Sequence, residues 1–200
     1  MKKVCNIIVL FFVVVGVISC GGKKDKNENL EPSATGIENG NNGLKHIEIG
    51  ESIHYKDLEK FLPSTLEGFE KEDPEGNSLN MAGFSVASAS AEYTNPNGNY
   101  IRVSILDYNA APSVYKTETA MWGKGITIDS DDEYAKSFSL NNELNGWESF
   151  QKINKKANVV VGVANRLLIS VEASNQLDAE KAKDILALVN FRSIMMAINS

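Results

Sequence analysis

Two short stretches and one acidic run hold the residues that could do chemistry. Gly83-Phe84-Ser85-Val86-Ala87 approximates a nucleophile elbow, with Ala87 where the last glycine is expected. That motif works by standing a serine on a sharp strand-to-helix turn. His46 and His54 are the only histidines, so a histidine base for Ser85 would have to be one of them. The stretch falls at the start of a predicted strand, which is the wrong setting for an elbow. The same two histidines, with Glu48 and Glu51 between them, could ligate a metal, yet their spacing fits no zinc pattern. Asp129-Ser130-Asp131-Asp132-Glu133 puts carboxylates at the first three ligand positions of a calcium loop. Tyr134 then stands where glycine is needed, and Leu140 where the closing glutamate belongs. The run therefore reads as a solvated turn, with Ser130 capping back to Glu133. No cofactor is implied. Trp122, Trp147, Tyr93, Tyr100, Tyr108, Tyr115 and Tyr134 could line a ligand pocket, but aromatic rings also fill cores. Trp147 is the first to test, because it opens a strand beside a loop.

The chain has two cysteines, Cys5 and Cys20. Ahead of Cys20, Lys2 and Lys3 form a basic start, and residues 4–18 are apolar apart from Asn6, with small residues at the end. The run is shorter than the roughly 20 apolar residues that cross a bilayer comfortably. It has the form of a secretory signal. Val17-Ile18-Ser19-Cys20 resembles the cleavage motif of bacterial lipoproteins: an aliphatic residue, a tolerant position, a small residue, then the required thiol. The resemblance implies cleavage before Cys20, a diacylglyceryl thioether on its sulfur and usually an acylated amino terminus. Residues 1–19 would then be the signal peptide. Two or three acyl chains hold a protein to a membrane far better than one, at about 0.8 kcal/mol per buried methylene. In enterobacterial lipoproteins an Asp after the cysteine implies retention at the inner membrane; Gly21 leans the expectation toward the outer membrane.

With both cysteines accounted for, the folded part holds no thiol. That excludes disulfides, thiolate metal sites and a cysteine nucleophile there. The chain carries 20 Lys and Arg against 26 Asp and Glu. Losing Lys2 and Lys3 with the signal leaves a net charge of −8. Such a surface has no electrostatic footprint for nucleic acid and gains nothing from an anionic bilayer. Membrane contact is expected through the lipid on Cys20 alone. The remaining partner would be a protein or a small molecule.

Residues 20–44 read as the lipidated cysteine and a tether. They are rich in Gly, Asn, Lys and Glu, with few sizeable apolar residues, and cannot offset their ordering entropy by burial. As a coil the tether would span about 27 Å r.m.s.. Residues 45–200 read as one domain. Ile47 and Ile49 alternate with Glu48 as a short strand. Residues 55–62 read as a helix stopped by Pro63, and residues 73–77 as a turn cluster. Residues 84–94 and 100–108 form a predicted hairpin over an Asn/Gly/Pro loop. Ala87, Ala89, Ala91 and Tyr93 share one face of the first strand; Ile101, Val103 and Ile105 share one face of the second. A helix is predicted over 111–122, then strands near 126–128, 134–140, 147–153, 159–163 and 167–171. A last helix over 178–189 has Ala182, Ile185, Leu186 and Val189 at helical spacing, with Asp178 as its cap. The order gives an α+β fold, an antiparallel β-sheet with helices packed on one face. By element order this layout loosely resembles PsbP-like α+β sandwich lipoproteins, a likeness of fold that does not carry function.

These residues lead to a membrane-anchored cell-envelope lipoprotein acting as a binding or interaction module. A hydrolase using Ser85 or a His46/His54 site, and an envelope assembly or folding factor, are the competing readings. We expect Cys20→Ala to abolish fatty-acid labelling and to release or misprocess the protein. Unlabelled wild-type protein that still sediments with membranes would refute the lipid anchor.

Overall fold

Strict alternation of side chains writes most of this fold. The computed structural model describes residues 50–81, 84–109, 111–140 and 144–199. The cleavage motif, Cys20, the tether, His46, the 47–49 strand and Gly83 lie outside the described residues. The elements in chain order are α1 (Tyr55–Leu58), a 3-10 turn (Glu59–Phe61), β1 (Glu70–Lys71), β2 (Glu75–Met81), β3 (Phe84–Thr94), β4 (Tyr100–Asp107) and α2 (Pro112–Glu118). They continue with β5 (Thr127–Asp129), β6 (Glu133–Leu140), β7 (Leu144–Gln151), β8 (Lys156–Val163), β9 (Leu167–Ala173), α3 (Glu180–Leu186) and α4 (Phe191–Ile198).

All nine strands among the described residues join one antiparallel sheet in the order β1-β3-β4-β9-β8-β7-β6-β5, with β2 also paired to β3. The α+β class expected from the sequence holds. The β3–β4 hairpin and the β8–β9 hairpin form as expected. The latter turns on Ala164 and Asn165, both at positive φ near 50° (53° and 52°). Two such residues in succession make the turn whose twist matches the flanking strands.

One face of the sheet carries the core. Ala87, Ala89, Ala91 and Tyr93 on β3 and Ile101, Val103 and Ile105 on β4 are buried, as the period-two pattern requires. Val159 and Val161 on β8 and Ile169 and Val171 on β9 extend the same face. Leu58 and Leu62 cover it from the α1 region; Ala182, Ile185, Leu186 and Val189 cover it from α3 and the turn after it. The alanines of β3 leave room for α1 to approach the sheet. Ile194 brings α4 into the same core. Tyr93 is buried with its hydroxyl donating to Pro63 O, and burial pushes that phenol up to about 12.

The helices do not all share one face as the order of elements implies: α2 meets the opposite face. Gly162 sits between Val161 and Val163, whose side chains point into the core, so its missing side chain points outward. A Cβ there would collide with the Tyr115 hydroxyl of α2, and it would stand 3.4 Å from Trp122. Glycine is what lets α2 lie against the sheet at this point.

Two further segments differ from the sequence reading. Residues 73–77, expected as a turn, lead into β2, which pairs with β3 along its whole length. Its glycine is used for closeness rather than for turning: a Cβ on Gly76 would lie 2.7 Å from both Ser88 O and the Tyr55 ring. The last helix is shorter than expected, running from Glu180 to Leu186, and a separate α4 follows it. Asn190 starts it by accepting a hydrogen bond from Ser193 N at 3.0 Å.

The alternation on β4 is directly testable. Val103 is fully buried while its neighbour Arg102 is exposed and paired with Glu92. We expect Val103→Ala to cost about 1–3 kcal/mol through lost transfer energy and a residual cavity. Arg102→Ala should cost under about 1 kcal/mol, the worth of an exposed ion pair. Urea denaturation of both variants checks this; equal losses would contradict the assignment of faces.

Candidate functional site

The elbow serine is committed to structure. Ser85 is buried; its hydroxyl donates to Asn80 Oδ1 at 2.5 Å, accepts from Ser52 N at 3.0 Å and shares a 2.6 Å contact with the Ser52 hydroxyl. It lies on β3, whose following residues are strand and not helix. His54 sits at the start of α1, where Nδ1 accepts from Lys56 N at 3.3 Å and the ring tilts against Tyr55. The structure does not bring Ser85 and His54 together by a hydrogen bond. Among the described residues, no three His, Cys, Asp or Glu side chains gather as metal ligands.

In the acidic run, Ser130 closes the turn as its sequence suggests. Its hydroxyl accepts from Glu133 N at 3.1 Å, and its backbone N–H donates to Glu133 O at 2.9 Å. Asp129 is engaged by Lys152 Nζ at 2.7 Å. The aromatic residues disperse. Tyr100 donates to Glu172 Oε1 at 2.7 Å, Tyr115 and Trp122 pack at Gly162, and Trp147 lies on the outer face opposite Val160 and Ser137. Only Tyr134 of that set lines the cleft described below.

Two buried carboxylates escaped the sequence reading. Asp107, fully buried at the end of β4, accepts four hydrogen bonds. Arg166 grips it with Nε on Oδ1 at 2.8 Å and Nη2 on Oδ2 at 2.7 Å. Ile53 N adds a bond to Oδ2 at 2.7 Å and Asn109 N one to Oδ1 at 2.9 Å. Every oxygen is matched, so this is a clamp and not an open site.

Glu148 is different. It lies on the core side of β7, only 3 % exposed. The strand register explains how a charge arrives there. Along one cross-sheet row, Ala91, Val103, Val171 and Val159 are followed by Glu148, Lys136 and Thr127. The apolar face thus turns polar where the sheet reaches β7. Lys183 of α3 stands 3.0 Å from Oε2 and Lys136 stands 3.4 Å from Oε1. Each carboxylate oxygen of Glu148 thus faces one ammonium, the buried charge being balanced by two ion pairs. Lys183 also binds Glu180 at 2.6 Å. Burial pushes the Lys183 ammonium down, but the carboxylates of Glu180 and Glu148 outweigh it and raise it overall.

Glu148, Lys136 and Glu180 line a cleft of about 430 Å³ between β5–β7 and the start of α3, with Lys183 behind them. Tyr134 and Phe150, directly paired across β6 and β7, form an aromatic floor. Asp129 and Lys152 close one side; Leu177, Asp178, Ala179 and Glu180 form the other. The cap position of α3 is Ala179 and not Asp178 as expected; Asp178 stands one residue ahead, with Oδ1 accepting from Glu180 N at 2.9 Å. A second cavity of about 420 Å³ lies beside the β3–β4 turn, lined by Gly68, Phe69, Glu70, Thr94, Asn95 and Pro96. It has a single ionisable side chain. The first cleft combines aromatic surface with convergent, partly buried charges, the usual composition of a ligand site. Neither family models, nor curated proteins, nor solved structures give a match to the chain.

The Asp107 clamp predicts a large stability effect. Arg166→Met should cost about 3–5 kcal/mol, because it leaves a buried carboxylate without its cation. Adding Asp107→Asn should recover part of that loss. A cost for Arg166→Met below about 1 kcal/mol in urea denaturation, the level of an exposed pair, would show that the clamp does not hold the fold.

Proposed function

We propose that the protein is a cell-envelope lipoprotein, held to a membrane, the outer one by preference, through lipid on Cys20, and that its folded domain is a binding module. The site is the cleft between β5–β7 and α3. The observation that supports this reading most is the cleft itself: an aromatic floor beside a buried carboxylate with two lysines held around it. The hydrolase reading loses ground because the Ser85 hydroxyl is bonded to Ser52 and Asn80, and His54 serves α1. The large exposed apolar side chains Leu188, Met195 and Met196 give a folding-factor reading a second, weaker footing.

Native mass spectrometry of the mature chain carrying Cys20→Ser tests the proposal. After exposure to an envelope extract, the wild-type cleft should retain a small-molecule adduct. Tyr134→Ala, which strips half the aromatic floor, should lose it while keeping the native circular dichroism. An adduct retained equally by both proteins would move the site elsewhere, and no adduct at all would refute the small-molecule module.

A further inference from the structure

We infer that the protein pairs with a second copy of itself along β2, edge to edge, so that the two sheets run on as one. The inference is independent of the cleft. β2 has β3 on one side, and among the described residues no strand reaches its other side. A strand aims the backbone N–H and C=O groups of alternate residues to either side, so about half of those in β2 point away from β3. Among the described residues no turn, loop or side chain bonds to that outer row. Tyr55 N of α1 donates to the Ser78 hydroxyl at 3.1 Å, a side-chain contact that leaves the backbone row open.

The far edge of the sheet is protected and this one is not. β5 has three residues, and Asp129 within it is held by Lys152. Shortness and charge are common devices that keep an edge unpaired. β2 is seven residues long, has no Lys, Arg or Pro, and is uncharged from Gly76 to Met81.

Symmetry and charge select a second copy as the occupant. Gly76 and Ser78 face α1, so alternation puts Leu79 on the outer face of the sheet, where it is 49 % exposed. An antiparallel two-fold centred on Leu79 sets the two leucines opposite each other on one face, and each covers the other. The two Glu75 side chains then fall at opposite ends of the ladder. Beside this edge, Lys56 pairs with Glu59 and Lys60 with Asp57, so α1 and the turn after it bring no net charge to the contact. A charged peptide would find no counter-charge along Gly76–Met81, whereas a second copy brings an equally neutral strand.

Sedimentation equilibrium of the mature chain carrying Cys20→Ser tests the inference. The mass should rise to twice that of the monomer as concentration increases, and the β2 amides should exchange their hydrogens more slowly as the dimer fills. Leu79→Lys should weaken association by about tenfold or more, because two ammonium groups then meet at the axis. Leu79→Glu should do the same, and mixing the two variants should restore the dimer. A wild-type chain that stays monomeric overturns the inference; slow β2 exchange in that monomer would assign the edge to the chain's own segment ahead of Gly50. A dimer whose β2 amides exchange no more slowly, or that both Leu79 variants leave intact, also overturns it and moves the contact to another surface. The wild-type exchange measurement decides the matter even if the variants fail to fold.

Discussion

The pairing of β4 with β9 is the constraint on which the rest depends. Seven residues of β4, Ile101 to Asp107, meet Leu167 to Ala173 across a gap of about sixty residues of chain. Closing so long a loop costs entropy before any contact rewards it. The reward is a row of fully buried aliphatic pairs, Val103 with Val171 and Ile105 with Ile169. Both ends of the ladder are then fastened. At one end Ser174 and Tyr100 exchange hydrogen bonds, with Tyr100 N donating to the serine hydroxyl at 2.7 Å and Ser174 N donating to Tyr100 O at 2.9 Å. At the other, Arg166 in the β8–β9 turn grips Asp107, which also holds Ile53 ahead of α1. A single carboxylate thus ties the segment before α1, a central strand and a hairpin turn. It is buried without an uncompensated lone pair, the condition under which a buried charge is tolerated.

Much of this sheet was legible because burial on one face imposes a period of two. The runs in β3, β4, β8 and β9 have that pattern in the sequence, and their strands and faces follow from it. What could not be read was pairing over distance. Nothing local in residues 73–81 marks them as a strand, since Gly76 and Asn77 are turn formers; β3 selects the extended form by pairing. The two buried carboxylates were illegible for the same reason. Asp107 looks like the polar end of a strand until Arg166 is brought to it from fifty-nine residues away. Glu148 looks like a solvent-facing residue beside Trp147, yet the tryptophan takes the outer face and the glutamate the core side. The Ser85 motif is the reverse case. Its residue types were right for chemistry, but its hydroxyl is saturated by neighbours that only the fold supplies.

The change of character along the sheet explains where a site could form. From β3 to β8 the covered face is mainly aliphatic, and its polar members, Ser85, Tyr93 and Asp107, are hydrogen-bonded, since an unpaired polar group there would be costly. At β7 and β6 the same face offers Glu148, Lys136, Phe150 and Tyr134. A well-packed hydrophobic replacement of a buried ion pair is often as stable or more so. The stability of the fold therefore gives no reason for a glutamate and two lysines there; the binding role proposed above would supply one.

Helix α3 couples that site to the core. Its residues advance about 100° each, so neighbouring positions divide between two faces. Ala182, Ile185 and Leu186 are buried in the core beside β8 and β9. Glu180 and Lys183, three residues apart, bind each other, and Lys183 reaches on to Glu148. The helix is only seven residues long, so its position is set by tertiary packing and not by its own propensity. The apolar contacts that fix α3 therefore also fix the distance from Lys183 to Glu148. A loosened core at Ile185 or Leu186 would be felt first as a misplaced wall of the cleft. The charged wall is held in place because it shares a backbone with three buried side chains of the core.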